Sequence, residues 1–228
     1  MSITTCVFDA YGTLFDVAAA ARQAAAEPEN AALVDIWPKL AEDWRRKQLE
    51  YSWLRAITGV HADFWQVTGD GLDWAMEAAG LDDKRLRERL MALYAELQAY
   101  DEVPEMLTTL KAEGFATAIL SNGAPGMLKA AVDSAGIGDV LDDVLSVESC
   151  GVFKPNRKVY DLVGKRFRTK PEEVLFVSSN GWDAAAAAGY GFATAWVNRS
   201  GQPIDQLPWT PDTILPDLTT IPDLAAKL

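Results

Sequence analysis

Short apolar runs alternate with segments of helical periodicity along most of this 228-residue chain. The runs cover residues 4–8, 115–120, 174–177 and 192–197, with a weaker one at 143–147. Helical spacing fills the gaps between them, as in residues 103–113 and 127–135. Near-continuous apolar strands separated by helices are typical of a parallel sheet covered on both faces. The pattern therefore predicts an α/β fold with a Rossmann-like, doubly wound parallel sheet.

A long segment after the first strand, from about residue 16 to 99, has no convincing strand pattern. Apolar and large residues recur there at helical spacing, at Ile36, Leu40, Trp44, Gln48, Tyr51 and Leu54. We predict a helical cap domain (16–99) inserted into a core domain (1–15 and 100–228). Five tryptophans fall in the cap, and we interpret most of them as helix-core residues: Trp37, Trp44, Trp53, Trp65 and Trp74. The proline-rich stretch after residue 200 is predicted as surface loop with short elements.

Composition and charge limit the possible partners. The chain is 49% hydrophobic and 24% charged, as in ordinary globular proteins. Its net charge of −12 argues against nucleic-acid binding but not against a small anion held in a local cationic pocket. Cys6 and Cys150 show no disulfide or zinc spacing, and we expect two buried free thiols in a reducing compartment. Without a signal-peptide pattern or an apolar run of membrane-spanning length, we expect a cytoplasmic protein with no membrane partner.

Candidate chemistry starts at Asp9, which ends the first apolar run and precedes a turn at Gly12. A carboxylate at this end of a buried strand lies where open α/β sheets bind ligands. A lone Asp at such a position is more often a turn or cap residue. Here three other segments bring polar groups to the same edge, at residues 121–123, 154–155 and 178–183. We therefore interpret Asp9 as a nucleophile.

These four segments, in this order, resemble the nucleophile loop, Ser/Thr loop, lysine and acidic loop of the haloacid dehalogenase superfamily. The resemblance covers nearly the whole chain, with the helical segment matching a cap. The commoner phosphatases of that superfamily carry a second acid where this chain has Tyr11, and an additional Asp for Mg²⁺ in the loop where Asp183 stands alone. A halide leaves without a proton, and a hard cation prefers several carboxylate oxygens. Carbon–halogen displacement without a metal or other cofactor fits these departures.

Five motifs are similar to those of the L-2-haloacid dehalogenases within that superfamily. They are FDAYGTLFDV from Phe8, WRRKQLEYSWLR from Trp44, LSNG from Leu120, FKP from Phe153 with Tyr160, and SSNGWD from Ser178. Arg46 stands where relatives often have a polar amide. The resemblance implies hydrolysis of short-chain (S)-2-haloacids to (R)-2-hydroxyacids through an aspartyl ester. A metal-dependent phosphatase forming an aspartyl-phosphate is the alternative, and a non-catalytic binding module is a third possibility.

The resemblance also implies roles for individual residues. Asp9 would attack the substrate, and Lys154 would hold it ionised and aimed. Arg45 and Asn122 would stabilise the departing halide, although an Arg on an amphipathic helix is commonly just solvated. Asp183, which also suits the first turn of a helix, would activate water.

The remaining predicted residues support these groups. Ser178 and Asn180 would orient Asp183, and Tyr160 would bond near the lysine. Thr13 and Ser121 would orient Asp9 and the substrate carboxylate. An apolar wall would be made by Tyr11, Leu49, Phe64 and Trp182, although Leu49 and Phe64 fit a plain core nearly as well. The expected partners are a 2-haloacid, a halide and a second copy of the chain in a homodimer. His61, the only histidine, receives no role.

Overall fold

The computed structural model describes residues 2–228 and contains a six-stranded sheet in which every pairing is parallel. The strand order is β3-β2-β1-β4-β5-β6. The strands are β1 (Thr5–Phe8), β2 (Ala116–Ser121), β3 (Asp143–Ser146), β4 (Val174–Ser178), β5 (Ala193–Val197) and β6 (Thr213–Leu215). The predicted α/β class and the five predicted strands are confirmed. The sixth strand lies in the stretch predicted as loop.

Nine α-helices surround or extend from this sheet in the described part of the chain. They are α1 (Ala19–Ala25), α2 (Trp37–Thr58), α3 (Phe64–Ala78), α4 (Lys84–Ala95), α5 (Val103–Ala112), α6 (Pro125–Ala135), α7 (Arg157–Phe167), α8 (Gly181–Tyr190) and α9 (Ile221–Lys227). The first five fall between β1 and β2, and the first four of these lie in segment 16–99, as the helical pattern predicted. Within residues 2–228 no helix is long and apolar enough to cross a membrane.

The helical segment joins the sheet through two connections that run side by side. Phe15 bridges Ala99 in antiparallel fashion, and the Asp16 N–H donates to the Gln98 carbonyl at 3.0 Å. The Tyr100 N–H donates to the Leu14 carbonyl, also at 3.0 Å. These bonds are consistent with an insertion at this place. The division of the chain into core and cap domains at residues 15 and 99 stays a prediction.

The central strand β1 sets the position of the site. Its four residues are buried, and it pairs with β2 on one side and β4 on the other. Phe8 lies level with Ile119 and Val177. The residues that follow therefore leave the sheet side by side at its carboxyl edge, where the strand order reverses and α/β sheets bind ligands.

Helix α2 packs on α3 through a stripe that differs from the predicted one. Its buried residues are Leu40, Asp43, Trp44, Gln48 and Ser52. Leu54, which the apolar spacing placed on the inner face, is 50% exposed. The two helices approach closely at Gly71, where an added Cβ would lie 3.1 Å from the Gln48 backbone nitrogen. The polar side chains of this stripe each have a hydrogen-bond partner: Asp43 accepts from Arg46, Gln48 donates to Thr68, and Ser52 donates to the Leu49 carbonyl.

Two predictions about burial are wrong in part. Of the five tryptophans in the helical segment only Trp44 is buried, and Trp65 is 38% exposed. Large indole rings are rarely covered completely, and here Trp37 and Trp74 are half-buried and pack against the edge of the core. Cys6 is buried in β1, where burial, followed by the charge of Glu113, raises the pKa of its thiol to about 12. Cys150 is only half-buried, because it lies in a short turn after β3.

Candidate active site

Asp9, Lys154 and Asp183 form a buried chain of charges at the carboxyl edge of the sheet. Lys154 Nζ lies 3.1 Å from Asp9 Oδ1 and 2.8 Å from Asp183 Oδ2. Burial alone would lower the pKa of Lys154, but the two carboxylates outweigh it and raise that pKa. The lysine is therefore an ammonium ion placed between two acidic groups from β1 and from the start of α8.

The second oxygen of Asp9 is held by two neutral donors. Thr13 Oγ1 donates to Asp9 Oδ2 at 3.0 Å, and Asn180 Nδ2 donates to the same atom at 2.9 Å. Thr13 Oγ1 also accepts the backbone N–H of Ser179 at 2.8 Å, which ties the turn after β1 to the loop after β4. Gly12 permits this turn with φ of +91°, a conformation that side chains disfavour. The carboxylate is thus fixed by three donors from three loops.

Asp183 lies behind Lys154 and is fully buried. Tyr160 Oη donates to its Oδ1 at 2.7 Å, and Ser178 Oγ donates to its Oδ2 at 3.2 Å. Burial raises the pKa of Asp183, the charge of Lys154 opposes the rise and the charge of Asp9 adds to it. Asn180 was predicted to orient Asp183, and its backbone carbonyl accepts the Asp183 N–H at 3.0 Å, but its side chain forms no hydrogen bond to Asp183. That side chain bonds to Asp9, because the start of α8 turns it toward the nucleophile.

Arg45 reaches the site from α2. Its Nη2 donates to the Tyr11 carbonyl at 3.0 Å and to Asn180 Oδ1 at 3.2 Å. Its Nη1 donates to Gln48 Oε1 at 2.7 Å. A solvated surface position, the common state of a helix arginine, is not what the structure shows.

The loop after β2 supplies two further polar groups. Asn122 Oδ1 accepts the Lys154 backbone N–H at 2.9 Å, which leaves its amide N–H donors for other partners. Ser121 Oγ accepts the Gly123 N–H at 3.1 Å, so its own hydroxyl hydrogen can still donate. Gly123 leaves no room for a side chain, since an added Cβ would lie 2.8 Å from the Tyr11 ring.

These groups surround a small cavity of about 10 Å³. Its lining residues are Asp9, Tyr11, Arg45, Leu49, Phe64, Ser121, Asn122, Lys154, Asn180 and Trp182. All of them are among the residues predicted from the sequence. The four other predicted residues support the lining ones from behind. They are Thr13, Ser178, Tyr160 and Asp183. The geometry brings the predicted set together, while the role of each residue stays a prediction.

The apolar wall is built largely from aromatic rings. Tyr11 stacks on Tyr94 with ring centroids 5.6 Å apart and contacts Phe64 at 6.0 Å. Trp182 meets Trp53 edge to face at 5.3 Å. Such a wall excludes water and strengthens the electrostatic interactions inside the cavity. Burial raises the pKa of Tyr11 well above its ordinary value, so its phenol is neutral.

Comparison with known proteins identifies the family. Residues 3–191 match the model of the haloacid dehalogenase-like hydrolases. The chain is 41% identical to (S)-2-haloacid dehalogenase 1 of Pseudomonas sp. (strain CBS-3) over 99% of its own length and 98% of that protein. The chain belongs to the (S)-2-haloacid dehalogenase family. The resemblance and the enzyme class predicted from the motifs are thereby confirmed.

Solved structures agree with this assignment. A crystallised dehalogenase superposes on the whole chain with a TM-score of 0.93, at 40% identity and with 99% of that structure covered. An L-2-haloacid dehalogenase of Xanthobacter autotrophicus, with chloropropionic acid covalently bound, gives a TM-score of 0.85 at 38% identity. That match covers 97% of this chain and 98% of the Xanthobacter chain.

The residues of this dehalogenase-family site do not fit a divalent metal. Among residues 2–228 no group of three or more His, Cys, Asp or Glu side chains is arranged to hold a metal ion. The space between the Asp9 and Asp183 carboxylates is taken by Lys154 Nζ. Hard cations require several oxygen ligands, and an ammonium group between the two acids would repel them.

Sequence reasoning missed some contributors to this family site. Gln48 was predicted only as part of the helical pattern of α2, yet it bonds to Arg45. Tyr94 was not predicted to lie near the site. Ser179 belongs to one of the predicted motifs but had no predicted role, and its backbone N–H donates a hydrogen bond to Thr13 Oγ1. His61 lies 3.0 Å from Glu148 and so links the helical segment to the region after β3. Gln48 could have been found from its sequence position, because it is a polar residue within an apolar helical stripe. Tyr94, Ser179 and His61 have no comparable sequence feature.

Proposed function

We propose that this protein hydrolyses short-chain (S)-2-haloacids to (R)-2-hydroxyacids through an ester on Asp9, with inversion at the reacting carbon. The observation that carries the proposal is the Asp9 carboxylate, held by Lys154, Thr13 and Asn180 at the wall of a small cavity. The covalently bound chloropropionic acid of the Xanthobacter relative supports a covalent intermediate.

In the first step a carboxylate oxygen of Asp9 attacks the α-carbon from the side opposite the halogen. The carbon–oxygen bond forms as the carbon–halogen bond breaks, and the halide leaves with the bonding electrons. Arg45 and the Asn122 amide, both at the cavity wall, stabilise its charge. Three fixed donors hold the nucleophile, so its orientation costs little at the moment of reaction.

The substrate carboxylate lies against the loop after β2. Ser121 lines the cavity and retains its hydroxyl hydrogen as a donor. Backbone N–H groups at a turn before a helix suit a small anion, and α6 begins four residues later at Pro125. The alkyl group contacts the apolar wall of Leu49, Phe64 and Trp182. The small size of the cavity favours a short alkyl chain.

In the second step water attacks the side-chain carbon of Asp9, which releases the hydroxyacid and restores the carboxylate. Asp183 takes one proton from this water and returns it to the departing alkoxide oxygen of the hydroxyacid. The second proton of the water is released to solvent from the regenerated Asp9, which balances the charge of the halide. The Asp183 carboxylate offers about four acceptor positions. Lys154, Ser178 and Tyr160 occupy three of them, and one position on Oδ1 is left for the water. The raised pKa of Asp183 suits a general base.

One assay tests the proposal. Halide release is measured with the L and D enantiomers of 2-chloropropanoate, each with and without EDTA. We expect release from the L enantiomer only, equal in both conditions. Phosphate release that depends on Mg²⁺, with no halide released from either enantiomer, would support the metal-dependent phosphatase instead. A chain inactive in every arm would be the binding module.

We further propose that the protein is a cytoplasmic homodimer. Apolar side chains are exposed at and just beyond the C-terminal end of α2, with Leu54 50%, Ile57 82% and Val60 61% exposed. Leu54 and Ile57, three residues apart, are neighbours on the helix surface, and exposed apolar patches are typical of protein–protein contacts. The two free thiols fit a reducing compartment. Light scattering after gel filtration tests the assembly, and Ile57→Glu should yield monomers.

A further inference from the structure

A network of buried polar groups stands behind Arg45 in the helical segment. Gln48, 1% exposed, lies one turn further along α2 and accepts from Arg45 Nη1 at 2.7 Å. Its amide nitrogen donates to Thr68 Oγ1 at 2.7 Å and to Tyr94 Oη at 3.0 Å. Thr68 in turn donates to the Phe64 carbonyl at 2.6 Å. These bonds leave the Gln48 carboxamide a single orientation, with its oxygen toward Arg45.

The partners of Arg45 are all neutral. They are the Gln48 side-chain oxygen, the Tyr11 backbone oxygen and the Asn180 side-chain oxygen. Within residues 2–228 Arg45 forms no salt bridge, whereas the neighbouring Arg46 pairs with Asp43 and Glu50. A guanidinium fixed by neutral acceptors keeps its full positive charge for an anion in the cavity. A carboxylate at the same place would cancel much of that charge.

We propose that Gln48 is a positioning residue for halide departure: it orients the Arg45 guanidinium toward the cavity and, being neutral, leaves its charge to the leaving group. This inference rests on the proposed dehalogenation, because it assigns a halide as the anion that Arg45 meets. Gln48 does not line the cavity itself. Of the residues that line the cavity, Arg45 is the one to which the Gln48 side chain donates or from which it accepts a hydrogen bond.

Two substitutions test separately whether Gln48 orients Arg45 and whether its lack of charge matters. Gln48→Met keeps the volume but removes the acceptor, so the guanidinium loses its fixed direction. Gln48→Glu keeps the acceptor and adds a negative charge beside Arg45. Asp70→Asn, on the adjacent helix α3, is the matched control, because Asp70 pairs with Arg55 and not with the cavity.

The experiment measures kcat and KM with L-2-chloropropanoate and L-2-bromopropanoate, together with the inhibition constant of free bromide. Both Gln48 variants should lower kcat by about tenfold or more, short of the 10²–10³ typical of losing a charged donor itself. KM should change little, since the carboxylate is bound elsewhere. The loss should be larger for chloride, the poorer leaving group. Gln48→Glu should weaken bromide inhibition most.

The possible results distinguish failure of this inference from failure of the proposed function. Wild-type kcat and bromide inhibition in both Gln48 variants would overturn it while leaving the dehalogenase proposal intact. Absence of halide release from the wild-type protein would instead refute the proposed function. If thermal unfolding shows that neither variant folds, Thr68→Val carries the test. It removes the acceptor of the Gln48 amide at a residue outside the cavity lining, and unchanged bromide inhibition in that variant would overturn the inference.

Discussion

The ammonium group of Lys154 lies 2.8 Å from Asp183 Oδ2, and neither side chain is more than 1% exposed. Such a pair is costly to desolvate and stays stable only because each charge meets its opposite. Lys154 also contacts Asp9 and lies 4.9 Å from the centre of the Phe176 ring, whose face attracts a cation. The lysine thus serves the fold and the nucleophile at the same time.

Lys154→Met should destabilise the protein strongly and abolish halide release. It leaves two buried carboxylates without a cation, a change that typically costs about 3–5 kcal/mol in the free energy of unfolding. Denaturant unfolding measures this cost. Lys129→Met is the control, since Lys129 pairs with Asp133 on the surface of α6. Equal stability losses in the two variants would contradict a buried role for Lys154.

The same pair predicts how stability depends on alkaline pH. The pKa of Lys154 is raised in the folded protein, chiefly because the charges of Asp183 and Asp9 outweigh burial. Its stabilising contribution is therefore complete below the unfolded pKa of about 10.4 and disappears as the pH rises through the folded value. The difference in melting temperature between wild type and Lys154→Met should stay constant from neutral pH to about 10 and shrink above it. A difference that declined already near neutral pH would show that the folded pKa is not raised.

Tyr160→Phe should move the acidic limb of the kcat profile to higher pH. The Tyr160 hydroxyl donates to ionised Asp183 and holds the pKa of that acid below the value that burial alone would give. Removing the donor raises this pKa, so a higher pH is needed to ionise the base. Tyr190→Phe is the control, because Tyr190 bonds to Asp161 away from the cavity. An unmoved acidic limb would exclude Asp183 as the base.

Arg45→Ala should reduce halide release by about 10²–10³, the usual effect of losing one preorganised charge donor. The adjacent Arg46 provides an internal control. It points away from the cavity toward Asp43 and Glu50, and its side chain is 48% exposed. Arg46→Ala should therefore retain nearly full activity. Similar losses in both variants would indicate damage to α2 rather than loss of a leaving-group contact.

The sheet could be predicted from sequence because its strands are buried on both faces. The runs that form β1, β2, β4 and β5 are apolar apart from a few Thr and Ser residues, and only their ends differ from the predicted limits. β6 could not be predicted, because three partly exposed residues at the edge of a sheet carry no comparable pattern. Its strand character depends on pairing with β5, a tertiary contact.

The sequence predicted which residues surround the site more accurately than which of these residues bond to each other. Asp9, Lys154 and Asp183 follow strands or begin helices at one sheet edge, which topology alone brings together. The partner of a particular side chain depends on rotamers and on the direction of a helix start. The Asn180 amide therefore bonds to Asp9 and not to Asp183. Gln48 was hidden for a similar reason, since its partners come from α3 and α4.

The origin of the product oxygen tests the covalent intermediate itself. If Asp9 attacks carbon and water then attacks the Asp9 side-chain carbon, the first product takes its hydroxyl oxygen from the enzyme. In a single turnover in ¹⁸O-water, with enzyme in excess, the hydroxyacid should stay mostly unlabelled. The label should appear in the Asp9 side chain, found by mass spectrometry of the N-terminal peptide.

The competing route is direct attack of water on the α-carbon, with Asp9 or Asp183 as general base. Both routes invert the stereocentre, so product chirality does not separate them. In the covalent route the α-carbon first bonds to an oxygen of Asp9, whereas in the direct route it bonds to the oxygen of water. Only the covalent route therefore exchanges an oxygen of Asp9. The three donors on the Asp9 carboxylate, from Lys154, Thr13 and Asn180, favour a fixed nucleophile over a mobile base. Fully labelled product from the first turnover, with an unlabelled Asp9 peptide, would refute the nucleophile while leaving the dehalogenation itself in place.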